Sequence, residues 1–484
     1  MFARGSPRLL ARWTLLGLTL AGVAVGLAPA ARGSRTPIVN AQNDFGTART
    51  INMNGPVVDD DNPFFADLGV NGRRCVTCHA PEQNMTVTPA ALQARFAATD
   101  GTDPIFRPND GSNSPLEDVS TPAARRAAYS MLLGKGVIRV GIAIPATAEF
   151  ELASVNDPYG YAGNNTSNDE LSLFRRPLPA TNLRFLSAVM WDGRETTQRG
   201  TATAIHFDLD QQANDATTGH AQAPLPIDQA TRDAIVAYQT GNFTAQVFDQ
   251  DAGDLHSDGA QGGPENLIPE SFVFGANDPL GCDANGLNCT GASEHFTGVI
   301  FDEYDAWAAA PDGGRSAARR AVARGQTLFN TLEIPIVGVG GINDDFNVAT
   351  VKGSCGVCHD TPHAGDHSVP APLNIGIADP PGADGVHTAN GLDVSGMPVY
   401  TLRNKVTGET KTVTDPGRAL ITGKWKDVGR FKGPILRGLA GRAPYFHNGS
   451  AATLRDVVDF YDTRFSLSLT EAQKRDLVAF LRTL

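Results

Sequence analysis

Apolar residues recur at helical spacing in three stretches of the chain. Residues 316–331 place Ala321, Val322, Leu328 and Phe329 on one side of a helix. At the C-terminus Leu477, Val478, Leu481 and Leu484 repeat in the same way, behind a capping-box pattern of Thr470 and Gln473. Residues 122–133 read as a third helix, with Thr121 as cap, Pro122 in the first position and Gly134 at the end. Strict alternation is scarce. The short apolar run from Ile334 to Val339 is interrupted by Pro335, which cannot donate to a strand ladder. Between the helices, and above all over 207–300, the chain is rich in Gly, Asp, Asn and Pro. The pattern predicts an all-α, loop-rich protein.

Length and composition narrow this further. A chain of 484 residues exceeds what one core holds, so two domains are expected, divided near residues 295–315. Hydrophobic content of 41% and charged content of 19% suit a globular protein. The first residues stand apart. Arg4, Arg8 and Arg12 precede an apolar run from Trp13 to Leu27, and Ala28-Pro29-Ala30 follows, which reads as a secretory signal peptide over 1–31. Its removal takes away three arginines and no acid, moving the formal net charge from -12 to more negative values. An acidic surface argues against a nucleic-acid partner and suits a basic one, such as a small electron-carrying cytochrome. No other stretch is long and apolar enough to span a bilayer. The expected location is the periplasm, where haem attachment and disulfide formation both occur.

The six cysteines form three pairs. Cys75 and Cys78 precede His79, and Cys355 and Cys358 precede His359. Two thiols one turn apart can add to the two vinyl groups of a haem, and the next histidine then reaches the iron. Zinc would need both pairs to converge and gives no reason for either histidine. A thiol redox pair would need one such motif in a βαβ setting. Two covalent c-type haems are therefore expected, in two cytochrome c-like domains: 32–300, with a long loop insertion, and 301–484. The third pair, Cys282 and Cys289, lies in a turn-rich segment without a histidine and reads as a local disulfide.

Further motifs carry a resemblance. Met-Trp-Asp-Gly-Arg at 190–194, Ala-Pro-Tyr-Phe-His-Asn-Gly at 443–449 and Thr-Leu-Arg-Asp-Val-Val-Asp-Phe-Tyr-Asp at 453–462 occur in this order around the two haem motifs. As an ordered set they resemble the bacterial di-haem cytochrome c peroxidases. The resemblance implies that the His79 haem meets hydrogen peroxide and the His359 haem stores and relays electrons. Trp191 would couple the two, and a small cytochrome or another redox protein would donate electrons. Arg194 and Arg437 would pair with propionates, and His447 would pack beside the second haem. Homodimers are common in this family.

Three departures are informative. Where the typical peroxidase ligates the second iron with methionine, the ungapped position is Tyr461, which is similar to the MauG group; Met397 is the rival ligand. An anionic oxygen favours the more oxidised iron states. No histidine lies between His79 and His206, so the first iron is expected to be open, with Met85 the alternative cap. The distal glutamate of the family is replaced by Gln222, which cannot shuttle a proton. His220 is the expected acid and base, with His206 behind it. The family's calcium finds little support, because Arg176-Pro177-Leu178-Pro179 lacks the expected asparagine. Alternatives to a peroxidase are a MauG-like oxidase of a partner protein, a di-haem electron carrier and an oxygen-using di-haem dioxygenase.

Overall fold

The structure, a computed structural model, describes residues 35–162, 170–197, 204–270, 275, 277–280 and 296–484. The signal peptide expected over 1–31 and the Cys282–Cys289 pair lie outside these residues. Residues Ser34–Leu484 form one compact unit. No helix among the described residues is long and apolar enough to cross a membrane.

The fold is mixed α/β, not all-α. About 30% of the structure is helix and 18% is strand. Ile38–Asn43, Gly46–Asn52, Asn242–Asp249 and Gly253–Asp254 build an antiparallel four-stranded sheet in that order. Phe150–Asn156, Val399–Asn404 and Thr410–Val413 form a three-stranded sheet with Val399–Asn404 in the centre. Ile138–Ala143 pairs with Glu170–Arg175. The second of these sheets joins residues on both sides of position 300.

Two strands of the four-stranded sheet escape a hydrophobicity pattern because polar residues hold many of their buried positions. Gly46–Asn52 alternates strictly between buried and half-buried, yet its inward residues are Gly46, Ala48, Thr50 and Asn52. On the partner strand the buried positions include Asn242, Thr244 and Gln246. These groups satisfy one another: Thr50 and Thr244 share a hydroxyl contact of 2.8 Å, and Asn52 donates to Asn242 at 2.8 Å. Cross-strand polar pairs stabilise a sheet as apolar pairs do, without an apolar trace in the sequence. The stretch read as loop also contains two helices, Ala204–Gly219 and Gln229–Gly241, the second capped by the Asp228 side chain accepting from Thr231 N.

The helices expected from periodicity are present. Ser316–Thr331 is one helix, and Glu471–Leu481 starts with the Thr470/Gln473 capping box. The third expected helix breaks at Tyr129 into Pro122–Ala128 and Ser130–Lys135, and its final cap is Gly136 in the left-handed region rather than Gly134. Helices Ser316–Thr331 and Glu471–Leu481 cross at Gly325, where an added Cβ would stand 2.0 Å from the Asp476 carbonyl oxygen. An exposed helical glycine gains about 1 kcal/mol on replacement by alanine. Here the close crossing reverses the sign: Gly325→Ala should lower stability by about 1–3 kcal/mol. Denaturant unfolding measures it, and a stabilised variant would show that the helices do not meet there.

Candidate active site

Each haem motif forms one turn that ends in a half-buried histidine. Cys75–Cys78 is a single helical turn, and Cys355–Val357 is a turn capped by the Ser354 hydroxyl. In both, the histidine N–H donates to the carbonyl of the first cysteine at 3.0 Å. Neither cysteine pair is a disulfide. Burial raises the thiols of Cys75, Cys355 and Cys358 to about 12, which keeps them from acting as thiolates.

The imidazoles share one arrangement. His79 Nδ1 lies 3.3 Å from the Met85 carbonyl and His359 Nδ1 lies 2.7 Å from the Gly365 carbonyl. Burial holds His79 well below its ordinary range, at about 4, and lowers His359 too. Each ring is therefore neutral, with Nδ1–H given to a carbonyl and the Nε2 lone pair available to iron.

A cavity opens at each histidine. The first is lined by Cys75, Cys78, His79, Trp191 and His220, with many polar groups around them. His220 follows the helix Ala204–Gly219, and its Nδ1 is 2.6 Å from Asp110 Oδ2. Asp110 also pairs with Arg73, whose guanidinium donates to the Ile105 and Pro104 carbonyls at 2.7 and 2.8 Å. Burial alone would raise the Asp110 carboxyl, but His220 and Arg73 together hold it below the usual carboxylate range. The carboxylate fixes Nδ1, so that Nε2 is the His220 nitrogen not engaged by Asp110.

Other expected residues stand elsewhere. Gln222 is exposed on the turn beyond His220 and accepts from Asn71 at 3.3 Å, outside the cavity wall. His206 is exposed beside Phe207. Met85 packs among Phe64, Phe65 and Ala180, with its carbonyl on the His79 side. Residues given no role from the sequence also line the wall: Asp110, Met190, Gln212, Gln239 and Lys432. Only Met190, next to the Trp-Asp-Gly-Arg motif, had a local signal.

The second cavity is almost wholly apolar. Trp191, Phe329, Phe431, Phe446 and leucines surround Cys355, Cys358, His359 and Tyr461. Tyr461 comes from the helix Leu454–Phe465 and stacks on Phe465. Burial, reinforced by the two thiols, pushes its hydroxyl pKa up. Met397 packs in a different cluster, with Met131, Val137 and Phe174.

Trp191 lines both cavities, as does Lys432. The indole N–H donates to the Arg176 carbonyl at 2.8 Å, and the Trp191 carbonyl accepts from Lys432 N at 2.9 Å. Asp192 beside it is fully buried between Arg175 at 2.5 Å and Arg194 at 3.1 Å. Burial would raise the Asp192 carboxyl, but the two guanidiniums draw it down to about 2.

The residues fit a haem in each cavity. Besides the neutral histidines and paired thiols, two cations ask for anions. Arg176 lines the first cavity and donates from Nη2 to the Arg442 carbonyl at 3.1 Å. Burial lowers both guanidiniums, Arg176 to about 10 and Arg442 to about 9. Among the described residues neither forms an ion pair, and Arg442 Nε and Nη2 are buried without a partner. A propionate would match Arg176 at the first cavity; Arg442 lines neither cavity. Of the arginines expected in that role, Arg194 is held by Asp192 and Arg437 by Glu303. His447 lines neither cavity; it stacks on Phe431 at 4.0 Å, with Trp191 at its edge.

No family model matches the chain. A cytochrome-c peroxidase IdrP2 of Denitromonas iodatirespirans is 34% identical over 29% of this chain and 38% of its own length. A cytochrome-c peroxidase IdrP1 of the same organism is 27% identical over 46% of this chain and 54% of its own. The methylamine utilization protein MauG of Methylorubrum extorquens is 43% identical over 11% of this chain and 18% of its own. The chain thus spans about half or less of the curated relatives it matches.

His447 gives a pH-dependent test. Its ring is fully buried, neither nitrogen is hydrogen-bonded among the described residues, Nε2 lies 3.8 Å from Asp415 Oδ2, and burial lowers the ring to about 4. Between about 6.5 and about 4 the unfolded chain takes up a proton here that the folded chain refuses. Stability therefore falls as pH drops through that window, by roughly 3 kcal/mol from this group. Unfolding free energies at pH 7 and pH 4.5 should converge in His447→Leu relative to the parent; an unchanged pH slope would remove His447 as the cause.

Proposed function

We propose that the chain is a periplasmic di-haem c-type peroxidase that reduces hydrogen peroxide with electrons from a small cytochrome or another redox protein. The observation that carries this reading is Trp191, which lines two cavities that each contain one Cys-x-x-Cys-His turn. A haem bound in each cavity would supply an iron that exchanges electrons and, where a coordination position is open, accepts peroxide.

The protein's own groups divide the work. Cys75, Cys78 and His79 hold the reactive group in the 32–300 half; Cys355, Cys358 and His359 hold the electron reservoir in the 301–484 half. His220, oriented by Asp110, takes a proton from peroxide at Nε2 and returns it to the departing oxygen. Arg73 keeps Asp110 charged, so that the imidazole stays correctly turned through both transfers. Trp191 stands in the path between the halves, and its clamped indole keeps the two cavities in a fixed relation. The apolar wall around Tyr461 excludes water from the reservoir side. Donors dock through charge: the acidic chain attracts a basic carrier.

A second reading, oxidation of a residue on a partner protein in the manner of MauG, is favoured by Tyr461. A phenolate oxygen beside the second iron stabilises oxidised states that a thioether does not.

Electron paramagnetic resonance of the as-isolated protein should give a high-spin ferric signal from the His79 haem. Stopped-flow mixing with stoichiometric peroxide should change the Soret band, and His220→Gln should slow that change about 100- to 10,000-fold with the resting spectrum intact. Two low-spin signals and no response to peroxide would make the protein an electron carrier. Tyr461→Met should raise the midpoint potential of the second haem; an unmoved potential would remove Tyr461 from the iron.

A further inference from the structure

Away from both cavities, three segments bring carboxylates around one histidine. Asp302 and Glu303 precede the short helix Asp305–Ala309, His363 lies four residues after His359, and Glu270 follows the turn Pro264–Asn266. His363 Nδ1 is 3.2 Å from Glu303 Oε1 and 3.8 Å from Asp302 Oδ1. Its Nε2 is 3.8 Å from Glu270 Oε1. One ligand atom from each of Asp302, Glu303 and His363 lies within 4.8 Å of the other two. The His363 backbone is fixed: its N–H donates to the Ile300 carbonyl at 2.8 Å, and its carbonyl accepts from Arg437 Nε.

An independent observation points to a ligand. Glu303 is 2% exposed, and its Oε2 has no hydrogen-bond partner among the described residues. Arg437 and His363 both address Oε1. Leaving a buried carboxylate oxygen without a donor is costly. The local charge is also unbalanced. Glu270, Asp302 and Glu303 face one guanidinium, Arg437, so two negative charges remain when His363 is neutral.

We infer that Asp302, Glu303 and His363 form a binding site for one divalent first-row transition metal, with His363 Nδ1 as its nitrogen ligand. A dication balances the two charges and gives Glu303 Oε2 a partner. Glu270, on the far ring nitrogen, orients the imidazole as a carboxylate behind a metal-bound histidine does. A nitrogen with two carboxylates selects zinc-like ions over calcium or magnesium, which prefer oxygen alone. The Asp302 side chain is 53% exposed, so the ion has an open approach. None of these residues lines either cavity, and the site does not rest on the peroxidase reading.

The holoprotein, whose four motif cysteines are occupied by haem, is stripped with chelator and dialysed against zinc in the presence of excess calcium. Metal analysis should then find one zinc per chain beyond the haem iron. Asp302→Asn and His363→Gln, each with an unchanged Soret spectrum, should weaken zinc binding at least 10-fold. No zinc uptake, or uptake that both variants retain as an adventitious ion only, would overturn the site. Should His363→Gln fail to fold, the exposed position of Asp302 lets Asp302→Asn decide alone.

Discussion

Arg175 is the group on which the remaining geometry depends. It ends the strand Glu170–Arg175 and binds Asp192 at 2.5 Å and Asp415 at 2.7 and 2.9 Å, all three buried. Asp192 follows Trp191 directly, and Arg176, next after Arg175, accepts the indole N–H. One ion network therefore fixes the tryptophan from both sides. Asp415 leads into Arg418, whose guanidinium donates to the Asp192 and Gly193 carbonyls at 3.0 and 2.8 Å. Arg194 also pairs with Asp192, so Arg175 and Arg194 balance Asp192 and Asp415. Such a network adds little net stability over an apolar core, but losing one member strands a buried charge at about 3–5 kcal/mol. Its value is positional: it sets where the two cavities meet.

Around that fixed point the two cavities differ in kind. Both present a neutral imidazole whose Nδ1 faces a carbonyl, so the proximal sides are matched. Opposite them the first cavity has Arg73, Asp110, Gln212, His220 and Gln239, whereas the second has aliphatic and aromatic side chains with Tyr445 and Tyr461 among them. A proton can be stored and moved beside His79. Beside His359 the low polarity penalises any uncompensated change of charge. The asymmetry belongs to the walls, since the turns that carry the histidines are nearly alike.

The cations on the first cavity's side extend the same logic. Arg176 spreads its donors over the carbonyls of Gly136 and Val87 at 3.2 and 2.9 Å, and over that of Arg442. Backbone dipoles soften a buried charge without cancelling it, so burial still lowers both guanidiniums. A negatively charged group seated between them would relieve both at once. Arg194 and Arg437, by contrast, already have Asp192 and Glu303 as partners.

What was legible in the chain follows from separation. The haem turns, the helix Ser316–Thr331, the Thr470 capping box and Trp191 in its motif all depend on residues within one or two turns, and the sequence displays them. The strands were hidden because Thr50, Asn52, Thr244 and Gln246 take buried positions that an apolar pattern assigns to Val or Ile. The partner of His220 was hidden for a different reason. Asp110 lies 110 residues away and belongs to no motif, and the Arg73 contact ties its carboxylate to the segment just before Cys75. The polar wall beside His79 is thus anchored to the Cys75–Cys78 turn itself. A shift of Arg73 would move Asp110, and with it His220, relative to His79.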